Sequence, residues 1–287
     1  MERKDYHVQN RKIEMQMLKA YEDYLKNNEK SKATCEKYVR DIKHFVEFAG
    51  GHDIDKALLL DYKAILEEEY AITSANSMIA AVNSFLRYVG WNELCIKQFK
   101  IQKTVYCPEE KELSVAEFHS LIKTAEKNNK ERLALVLQTI CGTGIRVSEL
   151  QYMTVETVRK GEATVSCKGK TRKIFIVNKL QKKLLAYAQK SNIESGMIFT
   201  TKSGKPWDRN NIWREMKKLC ELAGIDTQKV FPHNLRHLFA RSFYSIEKDI
   251  AKLADILGHS NINTTRIYIM TTFAEHKRKM ESMRLII

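Results

Sequence analysis

The sequence predicts a mainly α-helical chain of two domains, the second carrying one small antiparallel β-sheet. Three observations carry that reading. Only 3 Pro and 11 Gly occur in 287 residues, which favours long helices over a turn-rich all-β fold. Apolar residues recur at spacings of three and four through the N-terminal third. Short β-type runs lie at Val155–Val158, Ala163–Cys167 and Lys173–Val177, the last two flanking Lys168-Gly169-Lys170-Thr171, which reads as a hairpin turn.

The first domain, residues 1–103, reads as a small helical bundle. Ser31 is an N-cap candidate, and Cys35, Tyr38, Val39, Ile42, Phe45, Val46 and Ala49 then form one apolar face that stops at Gly50-Gly51. Met78, Val82, Phe85, Leu86 and Val89 repeat the pattern up to Gly90. Two weaker helices, about 11–27 and 55–70, complete the bundle. The periodicity breaks over 99–112, where charges mix around Pro108, and residues 104–112 are assigned as the linker.

The second domain, residues 113–287, opens on a capping box, Ser114-Val115-Ala116-Glu117. An apolar helix through Leu133, Leu135, Val136, Leu137 and Ile140 ends at Cys141-Gly142. After the β-type runs, helices return at about 179–190 and 209–223, the second capped by Asp208. Three more follow Pro232, separated by Gly258-His259 and by Thr271-Thr272.

Charge narrows the function. The chain carries 49 Lys+Arg against 35 Asp+Glu, a net charge of +14. Residues 1–103 hold 17 basic and 16 acidic side chains, leaving 32 and 19 for the rest. Such an excess implies a polyanionic partner, nucleic acid before membrane surface, although a solubilising surface has the same composition. No apolar run approaches the roughly 18 residues of a membrane span, and no signal-type segment follows Met1. The six cysteines form no CxxC pair, so they read as reduced thiols of a cytoplasmic protein.

Two motifs are decoys. Gly169-Lys170-Thr171 has the tail of a phosphate-binding loop, but position 164 is Thr where that loop needs Gly, and a strand rather than a helix follows. His233 and His237 have an i, i+4 zinc spacing, but Asn234 stands where a metalloprotease has Glu and no third ligand is near. What remains is a scattered cationic set with a tyrosine. Arg146 follows the Thr143-Gly144 turn, Lys168 sits in the hairpin, and His233-Asn234-Leu235-Arg236 begins a helix after Pro232. The last run, Leu257-Gly258-His259, has Tyr268 nine residues beyond the histidine.

At these residues the sequence resembles the tyrosine recombinase/integrase family of phage integrases and Xer-like recombinases. An Arg box, a hairpin Lys, a His-x-x-Arg box and a Leu-Gly-His segment followed by Tyr occur in order over most of 113–275. The helical 11–100 region resembles the family's core-binding module more loosely. The chemistry suits such a set. A tyrosine hydroxyl with a pKa of about 10 is barely ionised at neutral pH. Its attack on a phosphodiester needs cations around the phosphate, a route for the phenolic proton and an acid for the leaving oxygen. Arginines satisfy the first need, because a guanidinium stays charged and presents a planar fork to phosphoryl oxygens.

The resemblance implies a role for each position. Tyr268 would be the nucleophile, forming a 3′-phosphotyrosyl link and freeing a 5′-hydroxyl. Arg146 and Arg236 would clamp the scissile phosphate, and Lys168 would protonate the leaving oxygen. His233 would assist proton transfer from Tyr268, and His259 would hydrogen-bond a phosphoryl oxygen. Glu149 would orient its neighbours. Lys170, Arg172 and Lys173 are expected on the DNA backbone, and Lys170 or Lys173 could replace Lys168 as the acid. Neither metal, ATP nor another cofactor is required, since the covalent link conserves the bond energy.

The resemblance also implies a tyrosine recombinase-like fold, a helical core-binding (SAM-like) domain and a mixed α/β catalytic domain that grip duplex DNA together. Only about ten residues precede the first helix, so the family's extra arm-binding domain is not expected. The amphipathic segment Phe273 to Ile287 would dock into a neighbouring subunit, giving a homotetramer on two inverted-repeat core sites, with room for accessory DNA-bending proteins. The expected reaction is strand exchange through a Holliday junction at the nucleoid, serving a mobile element or chromosome-dimer resolution. The rivals are a non-catalytic helical DNA-binding regulator and a topoisomerase of related chemistry.

Overall fold

The computed structural model describes residues 11–101, 112–167, 170–201, 203–269 and 273–283. The chain divides into two compact units, Met1–Lys103 and Thr104–Ile287. Among the described residues no helix is long and apolar enough to cross a membrane.

The first unit holds α1 (Met15–Asn27), α2 (Lys32–Ala49), α3 (Lys56–Glu69) and α4 (Ile72–Tyr88). The Ser31 hydroxyl accepts the Thr34 amide at the start of α2, and Gly50 ends that helix with φ +56°, a left-handed conformation that costs glycine least. Tyr21, Ile42, Phe45, Tyr62, Ile79 and Phe85 are fully buried between the helices. Two asparagines on one face of α4 then hold the exit segment. Asn83 exchanges two hydrogen bonds with the Ile96 backbone at 2.8 and 2.9 Å, and Asn76 does the same with Phe99 at 3.0 and 2.7 Å. Each side-chain amide thus stands in for a neighbouring strand.

The second unit begins with α5 (Val115–Lys127), whose Ser114–Glu117 capping box forms as expected, and α6 (Glu131–Thr143). A 3-10 turn at Val147–Tyr152, α7 (Val155–Lys160) and the hairpin of β1 (Glu162–Cys167) and β2 (Lys170–Phe175) follow. Then come α8 (Asn178–Lys190), α9 (Arg209–Ala223), α10 (Pro232–Glu247), α11 (Ile250–Leu257), α12 (Ile262–Tyr268) and α13 (Phe273–Ser282). The two strands pair antiparallel from Glu162 opposite Phe175 to Cys167 opposite Lys170. The chain is therefore mainly α-helical with a small antiparallel sheet.

Four local expectations change. Val155–Val158 is helix α7, not strand: the Thr154 hydroxyl caps the Thr157 amide and Gly161 closes the turn at φ +75°, which outweighs the β-branched Val155, Thr157 and Val158. Lys170 and Thr171, expected in the hairpin turn, pair in β2 with Cys167 and Ser166. The apolar helix α6 runs past Gly142 to Thr143 and ends on Gly144. Four helices rather than three follow Pro232, because Lys248 turns left-handed at φ +59° and the Asp249 carboxylate caps α11. Apart from Glu112, the linker expected over 104–112 lies outside the described residues, as does Lys168.

Candidate active site

Two glycine turns set the floor of the site. Gly144 closes α6 with φ +64°, and a Cβ there would fall 2.5 Å from Phe239 Cδ1 on α10. Gly258 closes α11 with φ +66°, and a Cβ there would fall 2.6 Å from Arg172 Cδ on β2. Only glycine satisfies both the backbone angle and the close approach. The two turns thereby expose carbonyls that arginines use.

Arg236 is anchored on those turns. It lies one turn into α10, which Pro232 starts at a position where no amide partner is lost. Its side chain is 1% exposed. Nη1 donates to the Gly144 carbonyl, and Nη2 donates to the Leu257 carbonyl at 2.5 Å and lies 3.1 Å from His259 Nε2. Nε is buried with no hydrogen-bond partner among the described residues. Burial and then the nearby Arg146 guanidinium bring its pKa down to about 10, which leaves it cationic at neutral pH.

Arg146 precedes the 3-10 turn and is tied to Glu149 twice. Glu149 accepts the Arg146 amide at 2.8 Å on one oxygen and Arg146 Nη1 at 2.9 Å on the other. The same carboxylate accepts Arg172 Nη2 at 2.5 Å. Burial pushes the Glu149 pKa up, but the Arg146 amide and the two guanidinium groups outweigh it and hold the carboxyl below its ordinary range. Arg146 Nη2 also reaches the Gly258 carbonyl at 3.5 Å.

The tyrosine arrives on α12. Tyr268 is 5% exposed, and its hydroxyl lies 3.0 Å from His233 Nε2. His233 is held below the ordinary histidine pKa by burial and by Arg236, Arg146 and Arg209, so its ring is neutral at pH 7, and the tautomer with the proton on Nδ1 presents an Nε2 lone pair to the Tyr268 hydroxyl. His259 falls to about 4, through burial and the three arginines 236, 146 and 172. Because Arg236 donates to its Nε2, the neutral His259 carries its proton on Nδ1 and donates to Thr265 Oγ1 at 2.9 Å. Thr265 is itself fully buried, one turn before Tyr268.

The structure thus brings together Arg146, Glu149, Arg172, His233, Arg236, His259 and Tyr268. Arg172, expected on the DNA backbone, turns inward on Glu149 with a side chain only 10% exposed. Lys173, its neighbour on the other face of β2, is exposed and pairs with Glu162 at 3.1 Å. Lys170 is placed only by its backbone in β2, and Lys168 lies outside the described residues. Sequence reasoning missed Thr265 and Arg209. The helical spacing of Thr265 and Tyr268 was the signal for the first; nothing in the sequence ties Arg209 to His233. An open cleft of about 610 Å³ lies between Arg146, Thr171, Arg172, Gly258 and His259. The site gathers the guanidinium groups of Arg146, Arg172 and Arg236 against the carboxylates of Glu149 and, on the cleft wall, Asp255, so it carries excess positive charge and suits an anion.

A tyrosine among histidines and arginines, on this helical fold, defines the tyrosine recombinase class. Residues 111–275 match the phage integrase family, and residues 18–93 match the N-terminal SAM-like domain of phage integrases. The chain belongs to the phage integrase family of tyrosine recombinases. It is 30% identical over 284 residues, 96% of each chain, to the tyrosine recombinase XerA of Pyrococcus furiosus. The XerH site-specific recombinase bound to difH substrate shares the fold with a TM-score of 0.68 at 18% identity, over 93% of this chain and 84% of that one. A lambda integrase tetramer bound to a Holliday junction gives 0.70 at 17% identity, over 88% and 76%.

Proposed function

We propose that this recombinase cleaves and rejoins duplex DNA through a covalent link to Tyr268. The observation that carries the proposal is the 3.0 Å contact from the Tyr268 hydroxyl to His233 Nε2, beside a cluster of arginines in excess over carboxylate. The phenolic proton passes to His233 as the oxygen attacks phosphorus. The bond to the 5′-oxygen breaks, and that oxygen takes a proton, which we assign to Lys168. A 3′-phosphotyrosyl ester and a free 5′-hydroxyl result. Attack by the 5′-hydroxyl of a partner strand reverses the steps and reforms the phosphodiester, with no net change in ester bonds and no requirement for ATP.

Arg146 and Arg236 hold the non-bridging oxygens, whose charge grows as the fifth bond to phosphorus forms. Arg236 has its Nη groups on carbonyls, and its Nε–H, without a hydrogen-bond partner among the described residues, is one of the donors left for a phosphate. His259 accepts from Arg236 in this arrangement, so donating to a phosphoryl oxygen requires its proton to move to Nε2. The Thr265 hydroxyl supports either tautomer, since it donates as well as accepts.

The XerH complex with its difH substrate supports DNA as the substrate here, and we assign the sites as inverted repeats read by both units. The lambda integrase tetramer on a Holliday junction supports an assembly of four protomers on DNA, which we join through the amphipathic segment after Phe273. Whether the product is an integrated element, an excised one or a resolved chromosome dimer follows from how the two DNA sites are arranged. The test is Tyr268→Phe. We expect unchanged DNA affinity and complete loss of the SDS-stable protein–DNA adduct. A wild-type protein that binds DNA without an adduct is a regulator, and one that relaxes supercoils without site preference is a topoisomerase.

A further inference from the structure

Three imidazoles surround the Tyr268 phenol. His233 meets the ring edge-on, with centroids 5.2 Å apart and planes at 89°, and His259 does the same at 5.0 Å and 90°. The third ring is His237, and it lies face-on, with centroids 4.1 Å apart and planes at 30°. His233 and His259 have proton and phosphoryl roles; His237 has none so far.

We propose that His237 is a positioning residue for the nucleophile: its imidazole stacks on the Tyr268 ring and holds the phenol oxygen on His233 Nε2. The proposal rests on the reading of Tyr268 as nucleophile. One hydrogen bond fixes the distance from the phenol oxygen to His233 but leaves the ring free to swing about its own bonds. A flat wall against the ring face removes that freedom, and offset aromatic pairs favour such contact. The wall and the base stand one turn apart on α10, with ring centroids 5.0 Å apart, so a single rigid helix sets both. The i, i+4 spacing that resembles a zinc pair instead places two imidazoles against one phenol.

Charge agrees with the geometry. Burial, then His233 and Arg241, bring His237 down to about 4, so the wall is neutral at working pH. A protonated ring there would add a cation to a site that already holds three arginines.

The experiment measures single-turnover formation of the covalent adduct. Its substrate is a nicked duplex from which the cleaved 5′-hydroxyl fragment diffuses away, so that religation cannot hide cleavage. Duplexes are chosen from a randomised inverted-repeat library by capture of the wild-type adduct. His237→Ala should cleave about 10- to 100-fold more slowly with DNA affinity unchanged, the scale expected when a reacting group is misplaced. His237→Phe restores a flat wall of similar size and should cleave within about threefold of wild type. If the alanine variant loses DNA affinity, the phenylalanine variant decides. An alanine variant at the wild-type rate, or a phenylalanine variant that binds DNA but is as slow as alanine, overturns the proposal. A wild-type protein that forms no adduct fails differently, because it removes the nucleophile itself.

Discussion

Glu149 holds Arg146 at both its backbone and its side chain, accepting the amide at 2.8 Å and Nη1 at 2.9 Å. The carboxylate is a structural clamp rather than a reacting group: it fixes one cation and balances a second, Arg172. Glu149→Gln should lower stability by about 3–5 kcal/mol, the usual cost of removing one charge from a buried pair, because the guanidinium groups then face each other uncompensated. Urea unfolding measures the loss. A variant as stable as wild type would show that the clamp carries no net energy.

Acid should destabilise the fold in two windows. His237 and His259 have folded pKa values near 4 against 6.5 when unfolded, so the unfolded chain binds more protons below pH 6.5. Their contribution is therefore fully present above about pH 6.5 and is lost as pH falls toward 4. Glu149 has the opposite charge but the same direction of shift; its contribution is present above 4.5 and is lost as pH falls through its lower folded value. Thermal melts from pH 7.5 down to about pH 2.5 should slope downward into acid. A His237→Phe, His259→Gln double variant should reduce the upper window to the part that His233 contributes and leave the lower one.

Gly144→Ala tests the anchoring of Arg236. The new Cβ would lie 2.5 Å from Phe239 Cδ1 at a backbone φ of +64°, so α6 and α10 must separate or Phe239 must move. Expected are a stability loss of about 2 kcal/mol, typical of overpacking combined with left-handed strain, and slower cleavage because the carbonyl under Arg236 shifts. Calorimetry and adduct trapping on the same preparation check both.

Binding and catalysis should separate at Arg146. Its alanine variant should lose about 10²–10³ in cleavage rate, the cost of one preorganised oxyanion donor, with a much smaller change in DNA affinity. Affinity itself should fall steeply with salt, as counterions condensed on DNA are displaced by the basic surface of the second unit. Fluorescence anisotropy across a salt series, paired with cleavage assays, distinguishes the two effects.

Much of this was legible before any coordinates. Caps at Ser31, Ser114 and Asp208 marked helix starts because each supplies an oxygen to orphan amides. Val155–Val158 folds as helix although its β-branched side chains favour a strand, because the Thr154–Thr157 capping box fixes the first turn. The break at Lys248 was hidden because a lysine, not a glycine, takes the left-handed turn. The order of Arg146, His233, Arg236, His259 and Tyr268 was visible along the chain. The Arg172–Glu149 contact was not, since a pair 23 residues apart meets only once β2 folds back beside the 3-10 turn. His237 was seen for its spacing but read against a metal, because periodicity reports a shared face and not what fills it.

We assign Tyr268 as the residue that joins DNA. Trapped adduct can be digested with protease and nuclease and its nucleotidyl peptide sequenced by mass spectrometry. One modified residue is expected, Tyr268, linked to a 3′-phosphate, with the released strand ending in a 5′-hydroxyl. A nucleotide on any other residue, or a 5′-phosphate link at Tyr268, overturns the assignment.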